Sequence, residues 1–304
     1  MEKKYRHIIE DLLERDGEQL TPDQAEALEQ FYDFHADGSR RTAFLLRGAA
    51  GTGKTFLIRL ITRFLMRQGY KVALLAPTGR AAKVITRRTA RYASTIHRYI
   101  YSPVESPGGS VFFDLKENKD PERTYYILDE ASMIGDGGDK GDGGTGLLND
   151  FLRFAYNEYE GRKIIMVGDP AQLPPVGSQT SPALDAKYMH EKCALTVYRS
   201  DMTAVMRQAA HSEVLRVANV IRESMERGAA PVIDIAYGGE VELMDNGYEA
   251  LELYTGLYRE DDPDAILFLT YSNKMAVEIN TALRHQLFEA EEPLIAGELL
   301  MVVR

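Results

Sequence analysis

The sequence predicts an α/β fold, a parallel sheet with helices on both faces. Three observations predict it. Apolar runs at 42–47, 71–76, 125–128 and 163–167 alternate with helical patterns. Each run is followed at once by polar or glycine-rich residues: GAAGTGKT, PTGRAAK, DEASM and GDPAQLPPVG. In sheets of this kind ligands sit at the carboxyl ends of the strands, so the candidate chemistry lies along one edge. At 304 residues the chain also has room for a second unit after the Pro174-Pro175 pair.

The first predicted helix begins in LTPDQAEAL. Thr21 is its N-cap, Pro22 takes the first helical position, and Gln24 closes a capping box. A side-chain amide that reads an adenine edge is the alternative use of Gln24, and local pattern favours the cap. The run 42–47 (TAFLLR) reads as a buried strand, 56–68 as a helix, and Gly69 as its stop. Between strand and helix lies GAAGTGKT, which fits G-x-x-x-x-G-K-[ST]. In that pattern Gly48, Ala50, Gly51, Thr52 and Gly53 bring backbone N–H groups onto phosphates, helped by the positive end of the following helix. Lys54 reaches the terminal phosphates and Thr55 holds Mg²⁺ through its hydroxyl. A glycine turn with a chance Lys-Thr is the bland alternative, and the flanking elements argue against it.

After the strand at 71–76 comes a stretch rich in cations. Arg80, Lys83, Arg87, Arg88, Arg91 and Arg98 occur with no acid among them. Net charge is −10, which by itself argues against a nucleic-acid binder. The acids gather elsewhere: in the first twenty residues, at 129–150 and near 289–292. A basic track on an acidic body and a solvated basic helix face fit equally well. Residues 101–123 read as an insertion, a small hairpin around 111–115. Its aromatic residues Tyr99, Tyr101, Phe112 and Phe113 offer either stacking faces for bases or hairpin core. His97 precedes it with no second His or Cys at metal spacing, so no zinc site is expected.

The strand at 125–128 ends in Asp129-Glu130. Downstream of a phosphate loop, this pattern assigns Mg²⁺ to Asp129 and the water attacking the γ-phosphate to Glu130. Residues 135–146 form a glycine-rich acidic loop that lacks EF-hand spacing. In GDPAQLPPVG, Gln172 is placed to touch a γ-phosphate or the attacking water; a Pro-rich turn is the plain alternative.

A second unit is expected from about Cys193. It holds a helix at 212–227, a strand at 265–270, a helix at 273–288 and a terminal apolar run, ELLMVVR. That run reads as an interrupted strand, which suggests an N-terminal piece of a longer protein. The lone cysteine and the charged N-terminus suit a reducing cytoplasm. The sequence holds no apolar run long enough to span a membrane.

The ordered set GAAGTGKT, APTGRAAK, STIHRYI, ILDEASM, GDPAQLPPVG and VMRQ resembles the RecD-like and Dda-like helicases of superfamily one, the 5′→3′ branch. The resemblance runs from Gln24 to about Asn280. It implies a RecA-like P-loop motor, with lobe 1A at 1–192 and an incomplete lobe 2A at 193–304. The implied cofactors are ATP and Mg²⁺, and the implied partner is single-stranded DNA at a single/double-strand junction, taken by a monomer. Gln24 matches the adenine-reading glutamine, Gln172 the coupling glutamine, and Arg207 an arginine that contacts the γ-phosphate. Pro77, Thr78, Lys83, Thr95 and His97 match positions lining the DNA path, with Arg80 beside them in the basic track. The hairpin at 101–123 resembles the pin that parts the duplex. The family's later motifs, including a second arginine finger, are not in this sequence. The chain is therefore expected to bind nucleotide, hydrolyse it slowly and not unwind DNA alone. A non-motor NTP switch or remodelling ATPase, an RNA helicase of the same superfamily, and a pure interaction module are the competing readings.

Overall fold

A computed structural model describes residues 2–105, 111–137, 146–203, 212–234, 239–259, 261–262, 265–288, 292 and 294–295. The chain divides into two units, 1–232 and 233–304.

The first unit is built on six strands: β1 (Thr42–Gly48), β2 (Lys71–Ala76), β3 (Ala93–Thr95), β6 (Thr124–Leu128), β7 (Lys163–Gly168) and β8 (Thr196–Met202). Their order is β3-β2-β6-β7-β1-β8, and every pairing is parallel. β6 and β7 are buried along their whole length, which is why they read as continuous apolar runs rather than alternating ones. One face of the sheet packs Phe44, Leu46, Leu74, Ile127 and Val167 against α1 (Glu2–Asp16), α2 (Pro22–Ala36) and α3 (Lys54–Arg67). The other packs Leu45, Leu75, Leu128 and Met166 against α5 (Ile96–Ile100), α6 (Leu147–Tyr156) and α7 (Ala186–Glu191). α4 (Gly79–Thr89) links β2 to β3. The register aligns the strand ends: Arg47 with Gly168, Leu128 with Met166, Leu75 with Leu128, and Ala76 with Thr95.

The hairpin expected in the insertion is present as β4 (Tyr101–Glu105) and β5 (Val111–Leu115), paired antiparallel. Its return is firmly anchored. Buried Asn118 donates to the Tyr126 hydroxyl at 2.9 Å and to Phe154 O at 2.7 Å. Fully buried Arg162 donates to the carbonyls of Pro121, Ala155, Asn118 and Asp120. Such a guanidinium needs every one of these acceptors to offset its desolvation. Most of the glycine-rich loop, 138–145, lies outside the described residues.

Two expectations change. The unit boundary near Cys193 falls before β8, which pairs along β1 from Thr42↔Thr196 to Gly48↔Met202. The first unit also takes in α8 (Glu213–Glu226). β8 hides from a sequence reading because it is a charged, half-exposed edge strand, TVYRSDM. In the second unit, α9 (Gly247–Leu257) and α10 (Asn273–Phe288) form, but the run 265–270 is not a strand. A strand needs a hydrogen-bonded neighbour. None exists among the described residues of that unit, and Leu267 and Leu269 are exposed.

Candidate active site

The turn after β1 carries the loop 48–53 into the start of α3. Gly48 is obligatory because of close approach: a Cβ there would stand 2.6 Å from Met202 O and 2.9 Å from Thr52 Oγ1. Gly53 is obligatory because of conformation, with φ 90° as the N-cap of α3. Thr52 is fully buried and its hydroxyl donates to Ala49 O at 2.9 Å. Lys54 Nζ donates to Gly48 O at 2.8 Å and to Ala49 O at 2.9 Å, so its ammonium folds back over the loop. Burial lowers the Lys54 pKa, while the charges of Asp169, Asp129 and Glu130 oppose that shift. Thr55 follows, half-buried, in the first turn of α3.

Gln24 is 1% exposed and completes the expected capping box: its Oε1 accepts the Thr21 N–H at 3.0 Å. The same side chain reaches the loop, since a Cβ on Gly53 would overlap Gln24 Nε2. The cap and a place beside the phosphate loop are thus compatible.

β6 delivers the two acids. The Asp129 N–H donates to Leu75 O at 3.0 Å, which continues the ladder past the end of the strand. Burial, with Glu130 beside it, pushes the Asp129 carboxyl up to about 6. Glu130 lies in the left-handed region at φ 53°, ψ 38°. Non-glycine residues there carry strain, and such strain concentrates at functional sites.

β7 delivers the third turn. Gly168 lets that turn close on the acids, since a Cβ would meet Ser132 N at 3.2 Å and Ala131 N at 3.3 Å. The Ser132 hydroxyl donates to Gln172 Oε1 at 3.3 Å, and the Ser181 hydroxyl donates to Ser132 O at 2.8 Å. Gln172 is thereby tied to the segment that carries Asp129 and Glu130.

The nucleic-acid candidates group at the neighbouring ends of β2 and β3. Thr78 caps α4 by accepting the Ala81 N–H at 3.2 Å, and Thr95 caps α5 by accepting the Arg98 N–H at 3.2 Å. Pro77 and Thr95 are half-buried, whereas Thr78, Arg80, Lys83 and His97 are exposed. The His97 ring lies 5.8 Å from that of Tyr101. The α4 cations contrast with those of α3, where Arg59, Arg63 and Arg67 pair with Asp11, Asp16 and Glu18. Among the described residues, Arg80, Lys83, Arg87 and Arg88 have no ion-pair partner within 4 Å. Phe112 and Phe113 are 50% and 69% exposed, so they face outward rather than filling a hairpin core. Arg207 lies outside the described residues.

Three site residues escape a sequence reading. Ser132 and Asp169 sit inside DEASM and GDPAQLPPVG without drawing notice. Arg222, on α8, has no local signal at all, because its partner Asp169 is 53 residues away.

Comparison with known proteins agrees with this geometry. A family described as AAA domain matches residues 19–234. The ATP-dependent DNA helicase dda of Enterobacteria phage T4 is 26% identical over 263 residues, 84% of this chain and 55% of the relative. The ATP-dependent RecD2 DNA helicase of Deinococcus radiodurans is 29% identical over 203 residues, 66% of this chain and 23% of the relative. The ATP-dependent DNA helicase Pif1 of Bdellovibrio bacteriovorus is 31% identical over 170 residues, 52% of this chain and 33% of the relative. The chain thus spans from about a quarter to about half the length of these relatives. With its parallel sheet and phosphate-loop turn, the chain belongs to this AAA-domain family.

Proposed function

We propose that this chain is the nucleotide-binding motor portion of an ATP-dependent DNA helicase that moves 5′→3′ along single-stranded DNA. The observation that carries the reading is the shared sheet edge. Lys54, Asp129, Glu130 and Gln172 follow β1, β6 and β7, and the exposed cations of α4 follow β2 on the same edge. The relatives named above are all described as ATP-dependent DNA helicases.

In this reading ATP is the substrate. Gln24 contacts the adenine, and loop 48–53 receives the phosphates on its N–H groups. Lys54 leaves Gly48 O and Ala49 O for the terminal phosphates. Thr55 and Asp129 supply a hydroxyl and a carboxylate, hard oxygen donors that suit Mg²⁺. The crowding of Asp129 against Glu130 is the kind of negative charge a divalent cation relieves. A Mg²⁺ ion held by Thr55 and Asp129 would supply neutralisation of charge on the phosphate oxygens. Glu130 orients the attacking water and accepts its proton on the carboxylate. Gln172 senses the γ-phosphate, and Arg207 is the arginine that the resemblance assigns to contact with it.

Arg80, Lys83 and His97 would contact DNA phosphates, with Thr78 and Thr95 placing N–H groups beside them. Phosphate contacts carry no base code, so binding is nearly sequence-neutral. The hairpin β4–β5, presenting Phe112 and Phe113 on an anchored base, would part the duplex at the junction.

The test is ATP turnover by the chain and by Lys54→Ala, with and without a single-stranded oligonucleotide. The expected result is stimulation by DNA in the wild type and loss of turnover in the variant. Turnover indifferent both to DNA and to Lys54→Ala would overturn the reading. Stimulation by RNA in preference to DNA would move the substrate to RNA.

A further inference from the structure

Asp169 and Arg222 form an ion pair at the nucleotide edge to which the reading above gives no role. Arg222 Nη1 donates to Asp169 Oδ1 at 2.9 Å, and Nη2 donates to Oδ2. Asp169 is 3% exposed. Its Oδ1 also accepts the Ala171 N–H at 2.9 Å, and its backbone carbonyl accepts the Gln172 N–H at 3.1 Å. A planar guanidinium fork engages both carboxylate oxygens at once, which a lysine cannot do.

The position of this pair gives it consequence. Arg47 is in register with Gly168, so Asp169 emerges beside Gly48 and the loop over which Lys54 folds. Among neighbouring charges, that of Asp169 acts most strongly on Lys54, ahead of Asp129 and Glu130, and Arg222 opposes all three. A carboxylate this buried, with two further acids nearby, needs a cation. Without Arg222, a cation on which Asp169 already acts is Lys54, the lysine that the phosphates require.

We infer that Arg222 is a positioning residue that holds Asp169 away from Lys54, keeps that lysine available to phosphate, and fixes the turn that presents Gln172. The inference rests on the nucleotide site proposed above. A simple packing role makes a different forecast. In that case neutralising either partner harms the site alike, and neutralising both harms it at least as much.

The experiment measures equilibrium binding of a fluorescent ATP analogue, together with the KM for ATP and kcat. The variants are Arg222→Gln, Arg222→Lys, Asp169→Asn and the double variant Asp169→Asn/Arg222→Gln. Melting curves accompany each. Arg222→Gln is expected to weaken nucleotide binding and raise KM by about tenfold, in line with couplings between contacting groups. Arg222→Lys, which keeps the charge without the fork, falls between. Asp169→Asn, which removes the carboxylate that would capture Lys54 but also an acceptor of the Ala171 N–H, weakens binding less than Arg222→Gln does, and the double variant matches Asp169→Asn to within about threefold.

Unchanged binding in Arg222→Gln, or a double variant weaker than that single one, overturns the inference. If Arg222→Gln does not fold, the double variant is compared with Asp169→Asn: equal affinity is expected, because a neutral side chain at 169 leaves Arg222 no charge to restrain, and a double variant about tenfold weaker than Asp169→Asn overturns the inference. Failure of the underlying site reads differently: the wild type would not bind the analogue, or Lys54→Ala would bind it unchanged.

Discussion

Gly53→Ala probes the junction of loop and helix where two demands coincide. The residue sits at φ 90°, ψ 19°, and a left-handed backbone costs an L-residue roughly 1–2 kcal/mol. The new methyl would also overlap Gln24 Nε2 and lie 3.5 Å from Gln24 Cδ. The Gln24 side chain is buried and its other end accepts the Thr21 N–H, so it cannot retreat without opening the capping box. Losing a cap of this kind costs about 1 kcal/mol. The total is about 2–3 kcal/mol. For a unit of this size that lowers Tm by roughly 4–12 °C.

The assay is a thermal melt paired with urea titration on four proteins: wild type, Gly53→Ala, Gln24→Ala and the double variant. Gln24→Ala removes the obstacle and half the capping box, at about 1 kcal/mol. In that background Gly53→Ala costs only the backbone term, so the cycle shows a coupling of about 1 kcal/mol. If Gly53→Ala costs the same in both backgrounds, Gln24 does not pack on the loop, and the case for an amide beside the phosphates fails with it.

Salt and pH give two further checks. Binding of a single-stranded oligonucleotide should weaken steeply with salt, each phosphate contact contributing a slope of about −0.7 in log K against log salt. Arg80→Ala and Lys83→Ala should each reduce that slope by about one contact's worth, as read by fluorescence anisotropy; slopes equal to the wild type's would remove α4 from the DNA path. At acid pH the buried His35, whose ring nitrogen meets the Tyr125 hydroxyl at 2.7 Å, should limit stability. Burial, then the charges of Lys163 and Arg123, lower its pKa from 6.5 to about 4. The neutral ring is therefore the folded form. Its contribution is full above about pH 6.5 and is lost as pH falls toward 4, about 3 kcal/mol in all. Asp129, raised to about 6, acts in the opposite sense, so the comparison of wild type with His35→Gln isolates the histidine. Parallel denaturation curves of the two between pH 7 and 4 would contradict this.

What the sequence made legible was chemistry set by local spacing. The phosphate loop, the Asp129-Glu130 strand end and the Thr21–Gln24 box depend on residues a few positions apart, and all take the expected local structure. Helix α3 starts at Lys54 rather than Phe56, because the lysine and Thr55 already form its first turn. The four buried central strands were legible as apolar runs. The two edge strands were not. β3 is three residues long, and β8 mixes charged with apolar residues because only part of it is covered. The run 265–270 shows the converse error, since apolar composition makes no strand without a partner.

The illegible part of the site is also its electrostatic balance. Lys54, Asp129, Glu130 and Asp169 are each visible within a motif, and together they amount to one cation against three acids. Arg222 arrives from α8, beyond the last strand of the sheet, and brings the count to two cations against three acids, with Asp169 neutralised directly. A motif reading counts the groups that touch the nucleotide; it does not count the group that keeps those groups apart. A buried carboxylate beside the phosphate loop requires a partner on physical grounds alone. The sequence could have posed that requirement at Asp169, although only the fold could show that the partner comes from α8. The nucleotide edge is therefore complete only once Arg222 of α8 meets Asp169, so Arg222 belongs to the motor as much as to its own helix.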